Sequence, residues 1–378
     1  MNVTISRRAA LVALLVLVPS LPLNSSEPRP IVVVVNLDQM IHQVSADYVK
    51  RGIRYANQIN ANAVLLELNT PGGLMGAMRE IIQTILDSRV PVITYVAPSG
   101  GGAASAGFFV LLSGDVAVMA PGTNTGAAHP VMLSGADIGK TMAAKVENDA
   151  ASYLRSITDK RGRNSKLAED GVRLSKSYTE KEALDGNLID AVASSPQDIF
   201  AKFDGKKLKR FNDTTTALRL ADAMLEPYVM SPRERFLSWV ADPNVAFILG
   251  ALGLLGLYLE FTHPGMIAPG IVGAIAIILC AFAFNLLPIN YAGVVLILLA
   301  VSLLTLEVKV GSHGALAAGG IVAMVIGALI LVDSPWPEAR IRLSTAVGVT
   351  LPLAVITVTL LRFALAATPM AFLIQGAS

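Results

Sequence analysis

The chain has 378 residues, enough for two or three domains, with 53% hydrophobic and 15% charged residues and a formal net charge of +2. That balance gives no reason to expect a nucleic-acid partner, and a single cysteine, Cys280, excludes an intrachain disulfide or a cysteine metal cluster. Of the 30 Lys/Arg and 28 Asp/Glu residues, only Glu260, Glu307, Lys309, Asp333, Glu338, Arg340, Arg342 and Arg362 lie beyond residue 244. The first two-thirds therefore reads as a soluble domain and the last third as a membrane domain.

Arg7-Arg8, the apolar run Ala9 to Val18, Pro19-Ser20 and the polar stretch Asn24 to Arg29 have the order of a secretory signal peptide, here assigned to residues 1–24. The run is shorter than the roughly 20 residues of a membrane span, although an uncleaved anchor stays open because no strong A-x-A site follows it. Either way the segment beyond it is expected to be exported.

Ile31 to Val35 is a wholly apolar β-branched run, the pattern of a strand buried on both faces. Ser45 to Asn60 places Ala46, Val49, Ile53, Ala56 and Ile59 at helical spacing, and Ala63 to Leu68 is a second buried strand ending in Asn69-Thr70-Pro71-Gly72-Gly73. Leu74 to Asp87 is helical again, Val92 to Val96 is a third strand, and Val116 to Met119 is a fourth. This alternation predicts a parallel sheet with covering helices. In such sheets the loops at the carboxyl ends of the strands face the ligand.

One of those loops is Pro98 to Gly107, a strand–glycine–helix connection with Ser105 set among small residues. Small neighbours admit a substrate backbone, and amides at a helix start can stabilise an anion, so Ser105 is a candidate nucleophile; a simple tight connection is the plainer alternative. Gly72 and Gly73 leave the preceding strand at the same end and are either a turn or a second source of oxyanion donors.

A serine nucleophile needs a base. His129, 24 residues beyond Ser105 in Gly126 to Pro130, is one candidate. Lys145 is the other, on a predicted helix where Thr141, Lys145, Asn148 and Ser152 share a face. A lysine base requires desolvation strong enough to lower the ordinary value of about 10.4 by several units. The plainer alternative is a surface lysine paired with Asp149 at i+4. Further on, Arg161-Gly162-Arg163-Asn164 ends one helix and opens another, and Gly186 stops a short helix before an apolar strand start. Lys206 to Arg210 is expected to be a solvated hairpin or strand and no binding patch.

Asn69 to Gly73, Gly101 to Gly107, Lys145 with Asn148, Arg161 to Asn164 and Glu182 to Asp190 fall in the order found in long-form NfeD proteins, membrane-bound serine proteases related to the Clp protease. The resemblance covers about residues 30–366. It implies an α/β Clp-protease/crotonase-like soluble domain followed by an all-α polytopic transmembrane domain. It further implies Ser105 as nucleophile and Lys145 as general base. The amides of Gly72 or Gly73 and of Ala106 become the oxyanion donors, and Asn148 a supporting group near Lys145. In the related Clp protease a histidine is the base at roughly the spacing of His129, so His129 remains the alternative base. The resemblance implies no cofactor or metal. The substrates it implies are apolar protein segments, the partner a stomatin- or flotillin-like membrane protein, and the assembly a homo-oligomer.

The expected organisation is a protease domain over 28–230, an amphipathic connector over 231–244 and a membrane domain over 245–366 in contact with lipid. Five spans are expected at about 245–261, 267–287, 291–307, 315–332 and 344–365, with glycines at 270, 273, 319, 320 and 327 allowing close helix packing. The implied setting is a bacterial-type cytoplasmic membrane with the protease domain extracytoplasmic. Long-form relatives usually continue into a small OB-like barrel, whereas residues 367–378 are only a short tail. The competing readings are a non-proteolytic scaffold for a stomatin-like partner and, more remotely, crotonase-like acyl-CoA chemistry.

Overall fold

The structure is a computed structural model that describes residues 29–131, 139–262, 265, 267–287, 289–310, 312–334, 340–356 and 359. The signal-peptide and tail assignments, and most of the last span beyond 356, lie outside the described residues.

The chain opens β1 (Ile31–Asp38), α1 (Gln43–Gln58), β2 (Ala63–Asn69), α2 (Met75–Asp87), β3 (Val92–Val96), β4 (Gly102–Ala104), α3 (Ala106–Ser113), β5 (Val116–Met119) and β6 (Asn124–Gly126). It continues α4 (Gly139–Arg161), α5 (Ser165–Arg173), β7 (Ser177–Thr179), α6 (Glu180–Asp185), β8 (Ala191–Val192), α7 (Pro196–Phe203), β9 (Lys207–Lys209), β10 (Thr215–Ala217) and β11 (Met224–Tyr228). The main sheet has six strands in the order β11-β1-β2-β3-β5-β8, and every pairing is parallel.

Both faces are covered, which is why the central strands read as near-continuous apolar runs, with Glu67 in β2 and Thr94 in β3 as interruptions. Val33, Val35, Leu37, Leu66 and Leu68 turn to one core with Ile53 of α1, Ile82 of α2 and Leu111 of α3. Val32, Leu65, Ile93 and Val118 turn to the other, against Ile199, Phe200 and Phe203 of α7. Full burial of a branched aliphatic side chain contributes about 1.5–3 kcal/mol, so these two layers hold the βα loops in place. A three-stranded sheet, β4-β6-β7, stands at the carboxyl end of the main one. The β9–β10 pair is antiparallel, as the hairpin reading of Lys206 to Arg210 requires, but Arg210 itself is buried, which corrects the expectation of a wholly solvated cluster.

The connector is α8 (Pro232–Val240), started by a capping box between Ser231 and Glu234. It docks on α1 through an ion pair of Arg51 with the buried Glu234, while Phe236 and Trp239 face outward. Four helices follow: α9 (Pro243–Thr262), α10 (Ala268–Phe284), α11 (Tyr291–Val310) and α12 (Ala315–Leu331), then a helix over Leu343–Ile356. Each of the five expected segments contains a helix, the last described only as far as 356. One, α9, is long and apolar enough to cross a membrane by length and composition, and the apolar stretches of the other four are shorter, at 10–17 residues.

Glycines let these helices pack closely. A Cβ on Gly273 would stand 2.9 Å from the Gly253 carbonyl oxygen, and one on Gly327 would stand 3.1 Å from that of Gly293. Gly319 meets only a leucine side chain at 3.7 Å and is not needed for close approach. The buried Glu307 caps α12, accepting from the Gly314 amide at 2.7 Å and the Ala317 amide at 3.1 Å.

Candidate active site

Ser105 stands between β4 and α3 at φ 52°, ψ −117°, a conformation that L-residues rarely adopt. Such backbone costs on the order of 1–3 kcal/mol and persists only where its surroundings over-determine it. Here they do. The Ser105 amide donates to the Gly126 carbonyl at 2.8 Å, and its own carbonyl accepts from the Phe108 amide at 3.0 Å. On one side β4 is held by Thr70, whose amide donates to the Gly102 carbonyl and whose carbonyl accepts from the Ala104 amide at 3.1 Å. On the other it pairs with β6.

The Gly72-Gly73 loop lies directly against this turn. A Cβ on Gly72, at φ 113°, would come within 2.5 Å of the Ser105 Cβ, so only glycine lets the two loops meet. A Cβ on Gly73 would fall 2.0 Å from the Ile41 carbonyl oxygen, because that residue is clasped to Ile41 by hydrogen bonds on either side of it.

The two glycine amides differ. That of Gly72 donates to the Thr70 hydroxyl at 3.2 Å. Among the described residues the Gly73 amide and the Ala106 amide at the start of α3 have no acceptor. The Ser105 side chain caps nothing and makes no hydrogen bond among those residues. Acyl transfer needs a nucleophile together with N–H donors left open for an oxyanion, and this turn offers a partly exposed, unbonded hydroxyl with two such N–H groups in its own and the adjoining loop.

The candidate bases are placed differently. His129 follows the segment bonded to Ser105, and its Nδ1 lies 3.1 Å from the Val172 carbonyl. A carbonyl can only accept, so Nδ1 is the donor in this contact. Lys145 is on the first turns of α4, where residues 139–145 are all exposed. It makes no hydrogen bond or ion pair among the described residues. The expected i+4 pairing with Asp149 does not form, because Asp149 is taken by Arg79 from α2, whose guanidinium also stacks over Tyr153 at 4.6 Å. The Asn148 carboxamide oxygen accepts from Arg173 at 2.7 Å, so its side chain is engaged with α5.

A cavity of about 580 Å³ borders the loops, lined by Asp38, His42, Asn69, Thr70, Gly101 and Ala104 from the sheet end and by Ser238, Asp242, Pro243 and Leu287 from the helical region. His42 is buried and caps α1, and burial lowers its pKa to about 4, so it is a neutral acceptor for the Ser45 amide. Among the described residues no group of His, Cys, Asp and Glu is arranged to hold a metal ion.

Comparison with known proteins gives the family. Residues 31–227 match the family described as NfeD1b, N-terminal domain, and residues 244–363 match the NfeD integral membrane domain. The membrane-bound protease PH1510 of Pyrococcus horikoshii is 35% identical over 306 residues, covering 80% of this chain and 69% of that protein. A solved structure described as a membrane-bound stomatin-specific protease, a lysine-to-alanine mutant in complex with a substrate peptide, is 32% identical with a TM-score of 0.52, over 56% of this chain and 98% of that one. A serine-to-alanine mutant of such a protease is 33% identical with a TM-score of 0.50, over 54% of this chain and all of that one.

Proposed function

The chain belongs to the long-form NfeD family of membrane-bound serine proteases, and on that premise we propose that it cleaves apolar protein segments with Ser105 as nucleophile and Lys145 as general base. The observation that carries this reading is Ser105 held at a strained helix start against the Gly72-Gly73 loop, with the Gly73 and Ala106 amides lacking acceptors among the described residues. A second support is the comparison: the lysine and the serine substituted in the solved relatives are separated by within one position of the Ser105–Lys145 spacing.

In the proposed reaction the Ser105 Oγ attacks the scissile carbonyl while Lys145 Nζ takes its proton. The Gly73 and Ala106 amides receive the carbonyl oxygen as it becomes negative, with Gly72 held back by its bond to Thr70. Collapse expels the amine, which takes the proton from Lys145 and leaves an ester on Ser105. Water, deprotonated in turn by Lys145, then releases the acid. For this cycle Lys145 has to lose its water, and in the free chain it is exposed. The covering surface is assigned to bound substrate or to a second copy of the chain, which is where homo-oligomerisation enters the proposal.

The substrate proposed is a segment of a stomatin- or flotillin-like membrane protein, by analogy with the relative's described specificity. The protease domain is placed outside the cytoplasmic membrane, with the helical region crossing it several times. The test is cleavage of an apolar peptide by the full chain and by Ser105→Ala, Lys145→Ala and His129→Ala. Loss in the first two with retention in the third supports the dyad. Retention in Lys145→Ala with loss in His129→Ala replaces lysine by histidine as the base.

A further inference from the structure

At the opposite end of the main sheet from Ser105 lies a cluster of buried charges that the chemistry does not touch. Asp115, just before β5, has a fully buried carboxylate, and the side chains of Arg161, Arg163 and Arg210 are 3%, 3% and 6% exposed. Asp115 Oδ1 accepts from Arg161 at 2.6 Å and from Arg210 at 2.8 Å, and its Oδ2 accepts from the Val92 amide at the start of β3.

Each arginine also closes a helix end. Arg161 donates two nitrogens to the Ser113 carbonyl, at 3.0 and 2.7 Å, and Arg163 donates to the Leu112 and Gly114 carbonyls at 2.8 and 3.0 Å. Those are the last carbonyls of α3, the helix whose first turn carries Ser105 and the Ala106 amide. Arg210 donates to the Ser88, Arg89 and Val90 carbonyls, immediately beyond α2, the helix that follows Gly73. Arg161 is itself the last residue of α4, the helix that carries Lys145 near its other end. A guanidinium fork suits a helix carboxyl terminus, where unpaired carbonyls concentrate partial negative charge.

We propose that Asp115, Arg161 and Arg210 are positioning residues that set the oxyanion amides, the nucleophile and the lysine relative to one another by tying the far ends of α2, α3 and α4 to one carboxylate, with Arg163, paired to Asp190 at 2.7 Å, a second clasp on the end of α3. Short rigid helices transmit such a tie along their length. The three catalytic elements arrive from different parts of the sequence, so without a common anchor each is free to drift against the others. Misplacement of about 1 Å is enough to cost on the order of 10²-fold in rate. A buried ionic network is weak evidence for stability by itself, and fixing geometry is its better-attested use.

The proposal rests on Ser105 being the nucleophile, and its test separates the two. Full-length Arg161→Lys and Arg210→Lys in detergent keep the positive charge beside Asp115 and lose the fork on the carbonyls. Two readouts are taken: the rate at which a fluorophosphonate labels Ser105, and kcat and KM for peptide cleavage, with circular dichroism confirming the fold. Labelling and kcat are expected to fall about tenfold or more while KM stays within about twofold, and Arg161→Ala is expected to fall further than Arg161→Lys. Wild-type labelling and kcat in a folded lysine variant overturn the positioning role and leave the cluster as fold support. A wild-type chain that takes no label at Ser105 overturns the nucleophile reading, and the positioning proposal with it.

Discussion

The two ends of the parallel sheet are built on opposite rules. At the carboxyl end Ser105 sits at positive φ, and among the described residues its hydroxyl is unbonded and the Gly73 and Ala106 amides have no acceptors. At the amino end all three guanidinium nitrogens of Arg161 and of Arg210 are bonded, and they converge on one buried carboxylate. Donors left open and strain retained are what an oxyanion site requires, and they persist only where the surrounding structure is firmly bonded. Mutations at the first end should therefore change rate with little change in stability, and mutations at the second should change stability as well as rate.

The largest expected effect is on rate. Ser105→Ala should lower peptide cleavage by on the order of 10⁴-fold or more, as removal of a serine nucleophile does, while the melting temperature stays within a few degrees of wild type. Loss of a general base is smaller, and Lys145→Ala should reduce kcat by about 10²–10⁴-fold with His129→Ala near wild type. A reversed ranking of the two in steady-state kinetics would move the base to His129.

At the amino end, Asp115→Ala leaves Arg161 and Arg210 without their shared carboxylate. It should lower unfolding stability by about 3–5 kcal/mol in denaturant titration, the range for breaking a buried ion pair. A loss below about 1 kcal/mol would show that the two ends do not differ as described.

His42 offers a pH test at the border of the site. Its folded-state pKa of about 4 lies below the ordinary 6.5 because burial disfavours the cation. Between those values the unfolded chain binds the extra proton, so this contribution is complete above pH 6.5 and is lost as pH falls toward 4. The loss approaches about 3 kcal/mol, and His42→Asn, which keeps a capping acceptor, should flatten the melting-temperature profile over that window. The smallest effect belongs to Thr70→Val, which removes the hydroxyl that occupies the Gly72 amide. It should cost about 1 kcal/mol of stability and change kcat only a few-fold, provided Gly73 is the donor in use.

Much of the fold is legible in the sequence because parallel strands buried on both faces read as near-continuous apolar runs: Ile31 to Val35 is wholly apolar, and Ala63 to Leu68 and Val92 to Val96 are broken only by Glu67 and Thr94. Strand β11 escapes that test. It contains Glu226 and Pro227, residues that only an edge strand tolerates, and it pairs with β1 alone. Ser105 and the two glycine loops are legible from their small residues. Which glycine amide is free is not, since that depends on the Thr70 hydroxyl folding back onto Gly72. The charged residues mislead in a consistent way. Arg210 reads as part of a solvated basic cluster, and Asp149 as the partner of Lys145, because local spacing cannot register Asp115 or Arg79 arriving from distant elements.

Covalent labelling tests the central claim most directly. The full-length chain in detergent is treated with a fluorophosphonate, and the modified residue is mapped by peptide mass spectrometry. A single adduct on Ser105, absent from Ser105→Ala and slowed in Lys145→Ala, is the predicted result. A folded, membrane-inserted chain that takes no adduct at Ser105, or takes one elsewhere that survives Ser105→Ala, would contradict it.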